Sequence, residues 1–302
     1  MGSAVVGLRP ANVGNVFSSG FGLARIEKFA KGSDGRDKFA KGVAAAAELA
    51  KEISLAVNGK GHKITREAGK VEGFAHTARD VTGLLNIFGG VLSTIRSIVF
   101  TVLPNLFKNL DSNDVVYLRG APKPGKGPTH EQRLNSASDP FQKRLAIVES
   151  LAGLISALAY TIGFGVCRVI RLAGKVTGEL GVGAKRMVNG FAPIMFINHV
   201  GGLVSNGAAL WRTHKIVSGI TDLSTVVDEN QKPDSQGFLN QYAKQTVASV
   251  LDIGEKVAEI VCDAAKFGAP IPPIAKAALG MLIAGLGITK VFTNTYEVPK
   301  AA

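Results

Sequence analysis

The chain has 302 residues, 46% of them hydrophobic but only 7% aromatic and 19% charged, with a mean hydropathy of +0.20. That excludes a disordered chain, which needs low hydropathy and high charge, and a disulfide scaffold, since Cys167 and Cys262 are the only cysteines. Thirty-five Lys and Arg against 23 Asp and Glu leave a formal charge of +12, so the expected partner is anionic, and the apolar content favours a lipid surface.

Residues 1–23 hold one charge, Arg9, and lack the basic start and apolar run of a Sec signal. They read either as a flexible, export-signal-like N-terminal segment or as a frayed tail. Residues 24–110 read as an amphipathic helical region. Phe39, Val43, Ala46, Ala50, Ile53 and Val57 recur at spacings of three and four, with Lys41, Glu48, Lys51 and Glu52 on other faces. Asp34 can cap this helix, Asp37 supports its dipole, and Gly59 and Gly61 stop it. Two further stretches follow: Ile64 to Asp80, and the more apolar Val81 to Phe107, broken by Arg96 and Pro104.

Residues 111–141 change character. Pro122, Pro124, Pro128 and Pro140 stand among glycines and lysines, and proline this dense blocks helix, so an exposed basic linker is expected. Gly120 to Gly127 (GAPKPGKG) approaches a phosphate-binding loop. It lacks the hydroxyl after its lysine and loses two amides to proline, so nucleotide binding is rejected.

Residues 142–212 predict a hydrophobic helical hairpin. Ser150–Cys167 is 18 residues without charge, and Met187–Trp211 is 25 residues without Asp, Glu, Lys or Arg. Both reach the length a membrane span needs. The 19-residue connector between them, Arg168–Arg186, is basic. Asn198 and His199 lie inside the second run and require partners on a facing helix, which Gly201 and Gly202 would bring close.

Residues 213–237 read as a polar loop, and 238–302 as an amphipathic helix followed by an apolar one. Val247, Val250, Leu251, Val257, Ile260 and Val261 face one way; Asp252, Glu255, Lys256 and Glu259 face another. Ala275–Thr289, at 15 residues, is short for a span and fits a buried or interfacial helix equally.

No catalytic, cofactor-binding or metal-ligating pattern is present. The five histidines make no HExxH or paired spacing, and no GxSxG occurs. Lysines spread along amphipathic helices, with Trp211 alone, do not make a nucleic-acid footprint.

Four blocks carry a family resemblance: DGRDKFAKGVAAAAELAKEI (Asp34 to Ile53), QKRLAIVESLAGLISALAYTIGFG (Gln142 to Gly165), PIMFINHVGGLVSNGAAL (Pro193 to Leu210) and VLDIGEKVAEIVCDAAKFGAPIPPIAKAALGMLIAG (Val250 to Gly285). In order and spacing they resemble chlamydial inclusion membrane proteins of the class I accessible protein type. The linker and the segment around Asp228 lie outside the resemblance, and the family's short loop between lobes is replaced here by Arg168–Arg186. The resemblance implies type III secretion by a bacterium into a host cell, insertion in the vacuole membrane, and a bilobed hairpin with both termini in host cytosol. It carries over no active-site residues. SDGRDKFAKG (Ser33 to Gly42) is also similar to the Gly-Arg-Asp/Glu-Lys signature of peroxisomal membrane-elongation peroxins, which deform membranes with amphipathic helices.

The expected fold is all-α, amphipathic helices around a two-segment hydrophobic hairpin. The expected function is non-enzymatic: a membrane-associated protein of the host–pathogen interface that organises or shapes membrane. Phe39, Val43, Ile53, Leu251 and Ile260 would insert, Lys38, Lys41 and Lys51 would contact headgroups, and Asn198 and His199 would pack between helices. Anionic lipids are the expected partners, with a host protein and a second copy of the chain as further ones, and nucleic acid excluded. The alternative is a soluble helical module that binds a host protein, its apolar runs forming a core.

Overall fold

The computed structural model describes residues 10–18, 23–97, 116–117, 134, 136–137, 140–176, 190–220, 226 and 234–298, with side chains described for all but 84–97 and a few element ends. The fold is all-α. Among the described residues there are eight helices: α1 (Pro10–Ser18), α2 (Leu23–Lys31), α3 (Ser33–Asn58), α4 (Lys63–Ser97), α5 (Pro140–Val176), α6 (Ala192–Ser218), α7 (Ser235–Lys266) and α8 (Pro273–Asn294). One short antiparallel ribbon, β1 (Val116–Tyr117) against β2 (Ser136–Ala137), precedes α5.

Local chemistry sets the helix ends. Gly59, at φ 79°, closes α3 in a backbone region where a side chain would be strained. Asp234 caps α7 by accepting the Gly237 amide at 2.8 Å. Proline stands in the first turn of α6 and of α8, where its missing amide costs nothing. Asp34 is not the cap expected of it: Gly32 takes that position, and Asp34 lies in the first turn.

The six long helices form a closed ring. Each of α3 to α8 packs on the next, and α8 packs back on α3. Neighbours run antiparallel, as the paired residues show: Lys51 with Glu72 and Asp37 with Arg79 for α3–α4, Glu149 with Ser205 and Ser156 with Asn198 for α5–α6, and His199 with Asp263 and Asn206 with Asp252 for α6–α7. An even number of alternating helices closes without a crossover. Glycine permits a close approach within the α5–α6 hairpin, where a Cβ on Gly201 would stand 3.0 Å from the Ala152 carbonyl oxygen.

Among the described residues, a conventional apolar core lies at one end of the ring, where α6 finishes and α7 begins. There Val217, Phe238 and Tyr242 enclose Leu134 and Val226. Beside it α1 lies on α7, burying Val16 against Ala243 and Tyr296, with Asn12 Nδ2 donating to Asn240 Oδ1 at 2.9 Å. α2 packs against α3 and α8, stacking Phe29 on Phe292 at 5.0 Å. Arg25 donates to the carbonyls of Val16 and Phe292 and to Thr295. Desolvation there lowers the Arg25 guanidinium from its ordinary value and raises the Tyr296 phenol.

Several segment boundaries differ from expectation. Residues 10–18, taken with the flexible N-terminus, are helix because Val13 and Val16 find an apolar seat; residues 1–9 lie outside the described residues. The stretches Ile64–Asp80 and Val81–Phe107 are one helix as far as Ser97. Most of the linker is not described, but Leu134, expected exposed, is fully buried. The polar loop is shorter than 213–237, since α6 continues to Ser218 and α7 starts at Ser235. The basic connector is helical as far as Val176.

Candidate functional site

The rest of the ring is inverted relative to a water-soluble bundle. Phe39 on α3 is 61% exposed, and Ile53 and Val57 point the same way. The face of α3 that turns inward carries Gly35, Asp37, Ala44, Ala45, Ala47 and Ser54. On α5 the exposed stripe Val148, Leu151, Ile155, Leu158 and Ile162 repeats at intervals of three and four. Phe74 on α4, Val204 on α6, Val250 and Val257 on α7, and Leu282 on α8 continue this apolar exterior around the ring.

The interior is charged. Arg168 on α5 is 1% exposed and donates from Nη2 to Asp37 Oδ1 at 3.0 Å, and Arg79 Nε stands 3.4 Å from the same oxygen. Both guanidiniums lie over the Phe164 ring, at 5.8 Å for Arg79 and 5.4 Å for Arg168. Arg171 pairs with Asp80 at 3.3 Å. Across the ring, Glu255 on α7 is 1% exposed and pairs with Lys38 and, at 3.2 Å, with Lys41; Lys41 also reaches Glu259 at 2.9 Å. His199 bridges two acids of α7, with Nδ1 at 2.7 Å from Asp263 and Nε2 at 3.2 Å from Glu259.

Among the described residues, two cavities with charged side chains in their walls open inside the ring. One, of about 460 Å³, lies between α5, α6, α7 and α8, with Glu149, Asn206, Asp252 and Lys290 in its walls. The other, of about 560 Å³, takes at least one wall residue from every ring helix, including Lys41, Arg79, Arg171, His199, Glu259 and Lys266. Along α7, Asp252 belongs to the first and Glu259 to the second, with Glu255 and its two lysines between them.

The structure gives the expected site residues mixed positions. Phe39 and Ile53 are exposed, whereas Val43, Leu251 and Ile260 are half-buried. Lys38 and Lys41 do not reach outward to headgroups: Glu255 and Glu259 draw both ammonium groups into the ring. Lys51 pairs with Glu72 of α4 at 2.7 Å. Asn198 Oδ1 accepts from Ser156 Oγ at 2.8 Å, so Asn198 and His199 both have partners on facing helices.

Asp37, Arg79, Arg168, Glu255 and Asp263 were not foreseen as interior residues. One signal was available for Glu255. Lys38 and Lys41 repeat at the helical spacing of Glu255 and Glu259, two complementary pairs suited to facing each other across helices.

Gly83 holds the Arg168 pair open. A Cβ there would stand 1.5 Å from Arg168 Nη1, whereas one on Gly73 of the same helix meets nothing within 4 Å. Gly83→Ala is therefore expected to push the guanidinium off Asp37 and destabilise the fold by about 3 kcal/mol, as for a broken buried pair. Gly73→Ala should stabilise by about 0.5–1 kcal/mol. Thermal unfolding of the two variants checks the opposite signs.

Architecture and interior together define the class, an all-α ring of antiparallel helices with a charged interior and an apolar exterior. No family model, curated protein or solved structure matches the chain. Among the described residues no group of His, Cys, Asp or Glu could hold a metal ion. Among the described residues two helices, Pro140–Gly174 and Pro273–Asn294, are long and apolar enough to cross a membrane. The second was expected to be too short, but the helix extends beyond Ala275–Thr289 at both ends. α6, the expected second lobe, does not qualify, because Asn198, His199 and Asn206 interrupt it.

Proposed function

We propose that this protein is a non-enzymatic membrane protein of the inclusion-membrane type, its ring embedded in the bilayer with the apolar exterior against lipid. One observation carries the reading: on all six ring helices large apolar side chains point outward, while on α3 to α7 charged side chains such as Asp37, Asp80, Arg168, Arg212 and Glu255 are buried inside. Water penalises that arrangement by about 25 cal/mol per Å² of exposed apolar surface, and hydrocarbon removes the penalty. Only 17% and 22% of the two span-length apolar stretches is buried inside the protein, whereas the core helix of a soluble bundle would be mostly covered. The resemblance of four blocks to inclusion membrane proteins supports the finer reading: type III secretion into a host cell and residence in the vacuole membrane.

Phe39 and Ile53 keep the lipid-facing role, and Val43, Leu251 and Ile260 lie at the margin of the apolar exterior. Headgroup contact passes from Lys38 and Lys41 to the α3–α4 turn, where Lys60, Lys63 and Arg66 are exposed; each basic residue near an anionic surface contributes about 1 kcal/mol.

Trp211, the single tryptophan, is 55% exposed on α6 and serves as a native probe. In phosphatidylcholine/phosphatidylserine vesicles the full chain is expected to resist carbonate extraction, with Trp211 fluorescence quenched by brominated acyl chains. Carbonate release, with quenching by aqueous iodide instead, would give the reading to a soluble helical module that covers its apolar surface with a host protein.

A further inference from the structure

We infer that the larger cavity is a binding site for a phosphate-type oxoanion, held by Arg79 and Arg171 with Lys41 and Lys266 in support. The inference rests on the interior of the ring and holds whether or not the exterior faces lipid.

Charge is the first ground. The network around the cavity contains seven cations, Lys38, Lys41, Arg79, Arg168, Arg171, Lys256 and Lys266, against five acids, Asp37, Asp80, Glu255, Glu259 and Asp263. Two positive charges are therefore uncompensated among the described residues, before any contribution from His199. Lys41 and Arg79 are largely buried, so an anion beside them offsets part of the cost of that surplus, whereas the Arg171 and Lys266 side chains, 39% and 48% exposed, are partly screened by water.

Hydrogen-bonding capacity is the second. The wall acids are already served: Glu259 by Lys41, Lys256 and His199, and Asp263 by His199 and Lys266. The spare donors belong to the arginines. Both arginines line the cavity, each paired with one acid, Arg79 with Asp37 at 3.4 Å and Arg171 with Asp80 at 3.3 Å, and Nε of each makes no hydrogen bond among the described residues. A guanidinium presents its donors as a planar fork that matches two oxygens of a phosphate. The same wall therefore repels a cation, whose acid ligands are taken, and offers donors to an anion. A cavity of about 560 Å³ has room for the phosphate, whether free in solution or on a lipid headgroup.

The cavity carries its own reporters. Both cysteines, Cys167 and Cys262, stand in its wall, and neither is in a disulfide. The test uses the full chain in detergent, titrated calorimetrically with inorganic phosphate, and separately with a short-chain phosphatidic acid, against sodium chloride of equal ionic strength. Saturable one-site binding of either probe is expected, weakened at least tenfold in R79Q/R171Q and unchanged in R36Q, whose side chain is exposed on α3. Binding of the lipid alone would assign the phosphate to a headgroup; binding of the free ion would assign it to a soluble oxoanion. In C167S, phosphate should also slow maleimide labelling of Cys262 relative to chloride, a readout that does not depend on the double variant folding. Equal heats and equal labelling in phosphate and chloride, or undiminished binding in a folded R79Q/R171Q, would overturn the assignment.

Discussion

Glu255→Ala is expected to destabilise the ring by about 3 kcal/mol, the lower part of the range for removing one partner of a buried ion pair. Glu255 is 1% exposed and is the acid shared by Lys38 and Lys41. Its loss strands Lys38, whose stem packs against Gly287, while Lys41 keeps Glu259 at 2.9 Å and limits the damage. The variant also raises the uncompensated interior charge by one, which adds to the cost. Glu255→Leu combined with Lys38→Met removes both charges and should recover most of the lost stability. The two changes are thus strongly non-additive, the signature of a direct interaction. Thermal unfolding of Glu255→Leu, of Lys38→Met and of the double variant measures the coupling. Additive shifts would show that Glu255 acts through packing alone.

Arg212→Ala is the second large effect, expected at about 3–4 kcal/mol. Arg212 is 0% exposed; its Nε and Nη2 donate to Glu149 Oε2 at 3.0 and 2.7 Å, and its Nη1 donates to the Leu134 carbonyl at 3.1 Å. It thereby ties both helices of the α5–α6 hairpin to the chain before α5. Glu149 lines the smaller cavity, so water can reach the stranded carboxylate and moderate its share of the cost. The Leu134 tether has no such relief, because Leu134 is sealed under Val217 and Phe238. Arg212→Lys keeps the charge but not the fork, and should fall between the wild type and the alanine variant. Denaturant unfolding with an unchanged slope would confirm that stability, and not the compactness of the unfolded chain, has moved.

Both predictions concern residues that periodicity placed on the wrong side or passed over. The spacing of Phe39, Val43, Ile53 and Val57 marks α3 as helix with one apolar face, and the uncharged runs mark α5 and α8. Gly59 marks a helix end that its positive φ requires. Such signals are local: they depend on the 3.6-residue turn and on backbone strain, which a chain carries wherever it lies. They give a stripe, not its direction. Asp252, Glu255 and Glu259 read only as the face opposite the apolar stripe, with nothing to say what that face meets. In the ring they turn inward, since Lys38, Lys41, Lys290 and His199 arrive from three other helices.

The sequence by itself determined that this protein is all-α, basic and rich in apolar helix, since helix periodicity and composition are properties of neighbouring residues. Only the tertiary structure decided that the helices close into a ring with its charges inside. Partners such as Asp37 and Arg168 lie 131 positions apart, and their pairing depends on which helices meet, not on any spacing along the chain.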